Sequence, residues 1–178
     1  MRWTWVIASV LVLAGFSLLA TLAAVSRRSR PSPGLLDGRL RPCPRSSNCA
    51  CSEDSGPSGT SSISFGGSGE EALARLRRAI VETGGMVETA ETDPGSYLHA
   101  LYVTSFFGFI DDVEARWDRD RGILHLRSAS RVGVVDRGLN QRRLNSLRDA
   151  FALAKAAASV PTSDGAADRR GSSAGSPQ

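Results

Sequence analysis

Residues 97–130 of this 178-residue chain, YLHALYVTSFFGFIDDVEARWDRDRGILHLRSAS, decide the fold because they carry consecutive strand signals. Runs rich in aromatic and β-branched residues are typical of strands, and DRDRG is typical of a turn. The alternating run MVETAET precedes them, and Asp-Pro-Gly at 93–95 predicts a further turn. The predicted strands are 86–92, 97–105, 109–117 and 123–129.

The last two predicted strands form a hairpin with one apolar and one polar face, because successive side chains of a strand point to opposite faces. A four-residue turn at 118–121 predicts two opposite-charge pairs on the polar face, Asp112 with Arg127 and Glu114 with His125. The apolar face holds Val113, Ala115, Trp117, Leu124 and Leu126.

Two helices flank the predicted strands. Ser68 and Glu71 form a capping-box pattern before EEALARLRRAIVETGG, whose apolar residues recur at helical spacing, whereas Arg75 falls off that stripe. A second helix is predicted at about 139–159. The order of elements predicts an α+β domain, with about four antiparallel strands and two helices on one face of the sheet.

An uncharged apolar run of 23 residues, 3–25, lies near the N-terminus. A helix needs about 20 such residues to cross a bilayer, whereas the apolar core of a cleaved signal peptide has about 7–15. The length favours an uncleaved transmembrane anchor with a basic flank, residues 1–30. The alternative is a secreted protein cut after Ala23 or Ser26, where small residues make an acceptable site.

Two opposing signals bear on the side of the membrane where the domain lies. Three arginines after the apolar run, against Arg2 and the amino group before it, favour the cytoplasm. Cys43 and Cys49 are close enough to bridge a small loop, and such a disulfide persists only in an oxidising compartment. We favour an extracytoplasmic domain.

Composition limits the remaining functions. The chain is 41% apolar and 22% charged, as in ordinary folded proteins, with a net charge of +4. The first 30 residues hold four arginines and no acid, so the rest is neutral, which argues against nucleic-acid binding.

The composition also predicts the domain organisation. The Pro-, Gly- and Ser-rich residues 31–69 predict a flexible linker that carries the Cys43/Cys49 loop. Residues 70–159 are predicted to form the α+β domain, and residues 160–178 are predicted to be a disordered tail.

Three runs resemble one protein family: RPCPRSSNC at 41–49, SYLHALYVTSFFGFIDDVEARW at 96–117 and LHLRSASRVGVVDRGLNQRRLNSLR at 124–148. Over residues 40–150 the chain is similar to the family called domain of unknown function 1499. The resemblance implies a bacterial or plastid-type protein, often with an export signal or anchor, and no assigned activity. This chain has Cys51 where the family usually has Ser, so the resemblance favours Cys43–Cys49 as the disulfide.

The loop before the last predicted helix is the candidate functional surface. Its glycines, hydroxyls and guanidiniums could bind a phosphate, a carboxylate or a lipid headgroup at the helix N-terminus. Asp136 is the candidate N-cap and the expected partner of Arg131, and an internal Arg–Asp–Asn network is the competing interpretation. The candidate ligand-binding residues are Asp111, Arg127, Ser128, Ser130, Arg131, Asp136, Asn140 and Arg143.

Other functions stay open at this point. An enzyme could use core-facing Asp111 as its base and Arg131 to stabilise an oxyanion, and a scaffold subunit would show an exposed apolar patch. The cysteine spacing does not suit zinc and no P-loop or dinucleotide fingerprint occurs, so we predict no metal and no cofactor. The aromatic run at 106–109 is interpreted as core packing rather than as a lipid-facing patch.

Overall fold

The computed structural model describes residues 2–29, 33–46, 48–88, 96–133 and 136–158. Its helices are α1 (Arg2–Arg28), α2 (Gly69–Glu82) and α3 (Leu139–Ala158), and a short 3-10 helix lies at Gly56–Ser58. Its strands are β1 (Leu35–Leu36), β2 (Arg39–Leu40), β3 (Cys49–Cys51), β4 (Ile63–Ser64), β5 (Met86–Val87), β6 (Tyr97–Val103), β7 (Ile110–Asp118) and β8 (Ile123–Ser130). The predicted turn at 93–95 and the predicted tail at 160–178 lie outside the described residues.

Six strands form one antiparallel sheet in the order β3, β8, β7, β6, β5, with β4 also paired to β8. β3 and β4 follow one another along the outer edge of β8. β1 and β2 form a separate hairpin. The predicted α+β class is confirmed, but four strands are too few, because β3 and β4 lie in the segment whose composition predicts a linker.

The β7–β8 hairpin keeps the predicted faces but not the predicted register. Its four-residue turn lies one residue later in the chain, so Glu114 pairs with Arg127. The expected pairs of Asp112 with Arg127 and of Glu114 with His125 are therefore wrong. The faces survive because the shift moves each partner by two positions, and side chains alternate with a period of two.

α2 and α3 pack on one face of the sheet, which we call the helix face. The predicted capping box at Ser68 and Glu71 is present, with both reciprocal hydrogen bonds. Arg75 departs from the prediction, because it is only 6% exposed. Its Nε donates to the carbonyl oxygen of Phe151 at 2.6 Å, and its guanidinium lies 4.4 Å from the centre of the Phe151 ring. This arginine therefore joins α2 to α3 instead of facing water.

The opposite face of the sheet, which we call the polar face, is covered in part by residues 33–46, which precede β3. Leu40 packs against Cys51 and Tyr97 in a small second apolar cluster, and the backbone N–H of Gly34 donates to Glu114. The composition of residues 31–69 predicts a linker, and within this range the structure places the strands β1 to β4 and buries Leu40 and Cys51.

α1 is long and apolar enough to cross a membrane, a property that a signal sequence shares. Its last turns dock on the domain, where Ala23 and Ser26 are buried. Ser26 Oγ accepts a hydrogen bond from the backbone N–H of Ile110 at 2.9 Å, and Arg27 Nη1 donates to the carbonyl oxygen of Phe107 at 3.2 Å. The helix and the β6–β7 turn are thus held in one arrangement.

Candidate functional site

Asp112 is the centre of a buried ion pair on the polar face. It accepts hydrogen bonds from Nε and Nη2 of Arg131 at 2.8 and 2.9 Å, and its Oδ1 lies 2.8 Å from Nε2 of His99. Burial alone would raise the pKa of Asp112, but these bonds hold that pKa below its usual value. The carboxylate is therefore ionised and already bound at neutral pH, which makes it a poor general base.

Glu114 is the centre of a second group on the polar face. It accepts hydrogen bonds from Arg127 Nη1 at 2.7 Å, from the hydroxyl of Tyr97 at 2.6 Å and from the backbone of Gly34 at 3.0 Å. Burial and the bond to Glu114 raise the pKa of Tyr97 far above its ordinary value. Arg127 Nε is buried and makes no hydrogen bond to any residue that the structure describes, so one donor stays free.

Glu53, which follows β3, attaches the covering residues 33–46 to the polar face. It accepts hydrogen bonds from Arg116 Nη2 at 2.5 Å and from the backbone of Leu40 at 2.6 Å. Burial would raise the pKa of Glu53, but its bonds to Arg116 and Leu40 lower it. His125 lies 4.0 Å from the same carboxylate, and burial lowers the pKa of His125.

The helix face carries a separate network around Asn140 and Arg143. Arg143 Nη2 donates to Asp111 at 2.6 Å, and its Nη1 donates to Ser128 Oγ at 3.1 Å. The amide of Asn140 donates to Asp136 at 2.7 Å and accepts from Ser128 at 2.5 Å. Because these buried groups satisfy one another, this part of the predicted site is an internal network.

The candidate ligand-binding residues therefore fall on two faces of the sheet. Those on the helix face are Asp111, Ser128, Ser130, Asp136, Asn140 and Arg143. Arg127 and Arg131 lie on the polar face. The expected Arg131–Asp136 pair is wrong, since Arg131 binds Asp112 while Asp136 caps α3 by accepting from the backbone of Asn140 at 2.9 Å. The structure likewise does not bring Asp111 and Arg131 together, as an enzyme of the kind considered above would require.

A cavity of about 370 Å³ opens on the polar face beside the end of α1. Arg127 and Arg131 reach it with side chains that are only 13% and 10% exposed. We call it the arginine cavity, and its walls are formed by Ser29, Pro44, Ser46, Asn48, Asp112, Arg127, Ala129, Ser130 and Arg131. Ser130 contributes to this wall although its hydroxyl accepts a hydrogen bond from Asn140 on the helix face. These walls carry two guanidiniums and one carboxylate, together with hydroxyl and amide groups, a set that suits an anion.

The cysteines form one disulfide and one buried thiol. Cys43 and Cys49 are bonded, as the resemblance implies. Cys51 is fully buried, and burial raises its pKa to about 11, so its thiol is protonated and unreactive at neutral pH. A larger cavity of about 580 Å³ adjoins the disulfide, but Asp136 in its wall is already bound to α3. Among the described residues no group of three or more His, Cys, Asp or Glu could hold a metal ion.

Sequence reasoning missed three residues of these networks. Glu53 and Tyr97 bind the charged residues of the polar face, and Asn48 donates to the carbonyl oxygen of Gly133 at 2.7 Å. Their partners are distant in sequence, so no periodicity reveals them. The available signal was that Asn48 and Tyr97 lie inside runs that resemble the family, Asn48 beside Cys49.

A family model described as "Protein of unknown function (DUF1499)" matches residues 39–151, well over half of the chain. The chain belongs to the DUF1499 family. The match begins inside the predicted linker, in agreement with the place of that segment in the folded DUF1499 domain. No curated protein and no solved structure matches the chain. The family description assigns no activity.

We expect the DUF1499 domain to lose stability in two stages as the pH falls. The pKa of His125 is lower in the folded state, so protonation favours unfolding below about pH 6.5. The pKa of Asp112 is also lowered, so its stabilising contribution is present above about pH 4 and is lost at lower pH. Urea unfolding of the full chain in detergent across this pH range measures both stages.

Two variants separate the stages. His125→Gln should flatten the pH dependence near neutrality, and Asp112→Asn should make it shallower in acid, where the lowered pKa of Glu53 leaves a remaining slope. A free energy of unfolding that is independent of pH across the whole range would contradict both assignments.

Proposed function

We propose that this protein is a single-pass, membrane-anchored extracytoplasmic domain that binds a phosphate-type anion in the arginine cavity. One observation carries the proposal: two largely buried guanidiniums converge on a cavity of about 370 Å³ that begins at the first residue after the apolar helix. The ligand is a phosphate, carried either by a lipid headgroup or by a small soluble molecule.

The two guanidiniums of the cavity support an anionic ligand. Arg127 and Arg131 line it while each is also paired with one carboxylate, Glu114 and Asp112, and the buried Nε of Arg127 has no hydrogen-bond partner among the described residues. Guanidinium groups bind phosphate oxygens in a bidentate manner. The hydroxyls of Ser29 and Ser46 also line the cavity, but they already donate to the carbonyl oxygen of Val25 and to Asn48.

The position of the cavity supports the proposed membrane anchor. Arg131 Nη1 donates to the carbonyl oxygen of Ser29 at 3.0 Å, so the cavity is joined to the residue that follows α1. A span of this length and apolarity fits a bilayer, and the disulfide fits an oxidising compartment outside the cytoplasm. Cleavage of the N-terminal apolar segment would release the same domain as a secreted protein.

Thermal unfolding of the full chain in an uncharged detergent tests whether the arginine cavity binds a phosphate. Inorganic phosphate and glycerophosphoglycerol, a lipid headgroup without its chains, should each be compared with chloride at equal ionic strength. A ligand at 100 times its Kd contributes about 2.7 kcal/mol, so we expect a rise of several degrees. A larger effect of the headgroup would identify a lipid, and a larger effect of phosphate a soluble ligand.

Arg127→Gln should abolish this rise, whereas Arg121→Gln, in the exposed β7–β8 turn, should keep it. The anion proposal fails if neither ligand shifts the unfolding temperature, or if Arg127→Gln responds as strongly as the unsubstituted chain.

A further inference from the structure

The β6–β7 turn presents an aromatic group to the outside of the domain. Phe106 is 79% exposed, and among the described residues outside α1 no large apolar side chain is more exposed. Its ring packs edge-on against Phe107, with centroids 4.7 Å apart, and Phe107 in turn contacts Phe109 at 5.9 Å. We call these three residues the aromatic corner. Core packing, the interpretation favoured from the sequence, is wrong for Phe106.

The aromatic corner is attached to the end of α1. Arg27 Nη1 donates to the carbonyl oxygen of Phe107, and Ser26 Oγ accepts from the backbone of Ile110, directly after the corner. Gly108 has φ of +68°, a left-handed conformation that closes the turn at the point where Arg27 approaches. The corner therefore has a fixed position relative to the helix.

The length of α1 places the corner at the surface of a bilayer. Residues 3–22 are exposed apart from one partly covered position, and 20 helical residues span about 30 Å, the thickness of the hydrocarbon region. The next residues, Ala23 and Ser26, are buried against the domain. The lipid boundary thus falls where α1 meets the corner, and the exposed Arg27 and Arg28 lie at the level of the lipid phosphates.

We propose that the aromatic corner inserts Phe106 and Phe107 into the interface of the bilayer that holds α1. This inference rests on the proposed membrane anchor and adds a second, peripheral contact with the same membrane. Aromatic side chains favour the headgroup region, and Arg27 and Arg28 complement anionic lipids there. The two contacts together fix the orientation of the domain, with the arginine cavity held close to the headgroups.

Spin-label depth measurements on the full chain in vesicles of phosphatidylcholine and phosphatidylglycerol test the insertion. The nitroxide is placed at Ser105→Cys, an exposed position that leaves Phe106 intact. Leu18→Cys in α1 and Arg119→Cys in the β7–β8 turn serve as references. Cys51 is buried and should stay unlabelled, which the unsubstituted chain verifies.

The label at Ser105→Cys should lie roughly 5–10 Å within the interface, protected from a water-soluble relaxing agent. Adding Phe106→Asp should move it into water, while the Leu18→Cys label stays in the hydrocarbon region. A buried label at Leu18→Cys with a fully hydrated label at Ser105→Cys overturns the insertion but keeps the anchor. Hydrated labels at both positions overturn the anchor and the insertion together.

Discussion

Arg143→Ala is expected to lower the free energy of unfolding by about 3–5 kcal/mol, the range for removing one partner of a buried ion pair. Asp111, only 3% exposed, would keep its carboxylate without a counter-charge, and Ser128 would lose a donor. The guanidinium also lies 4.9 Å from the centre of the Tyr102 ring, a contact that the substitution removes. Urea unfolding of the full chain in detergent measures the change.

Arg142→Ala is the matched control, because Arg142 is adjacent in sequence but exposed. This control substitution should lower the free energy of unfolding by no more than about 0.5 kcal/mol. Adding Asp111→Asn to Arg143→Ala should restore part of the stability, since no charge is then left buried. A loss below about 1 kcal/mol for Arg143→Ala would show that Asp111 does not depend on this pair.

Arg131→Ala is expected to have a similarly large effect, about 3–5 kcal/mol, on the polar face. It leaves Asp112 buried with only His99 as a partner and removes the hydrogen bond to the carbonyl oxygen of Ser29. Beyond the loss of stability, we expect faster tryptic cleavage after Arg28, because the residue that follows this bond loses its contact with the domain while Ser26 and Arg27 keep theirs.

Two comparisons make this second prediction specific. Arg131→Lys should recover little, because an ammonium group cannot reproduce the bidentate contact with Asp112. Arg119→Ala, in the exposed turn at the far end of β8, should change neither stability nor cleavage. Unchanged cleavage in Arg131→Ala would mean that the contact with Ser29 does not hold α1.

The local part of the fold could be predicted from the sequence. The capping box before α2 and the faces of β7 and β8 follow from patterns within a few residues. β3 and β4 could not be predicted, because they are three and two residues long and pair with a strand more than 50 residues away. The register was predicted wrongly because a turn at 118–121 and a turn at 119–122 each place opposite charges beside one another on the polar face.

The candidate site was predicted as one surface but is two. β8 continues to Ser130, so alternation sends Ser128 and Ser130 to the helix face and Arg127 to the other. Arg131 continues the same alternation and joins Arg127. The predicted strand 123–129 already places Arg127 and Ser128 on opposite faces, yet the loop was interpreted as one surface. The partner of Arg131, Asp112, depends on a tertiary contact that periodicity does not contain.

The arrangement of β3 and β4 along the outer edge of β8 has a consequence for aggregation. A long uncovered strand offers a row of backbone donors and acceptors that can recruit another chain. Here two very short strands shield that row, and one of them, β3, begins at a cysteine bound to Cys43. Reducing conditions that freed this strand would expose the C-terminal half of β8, so the oxidised loop guards the protein against edge-to-edge self-association.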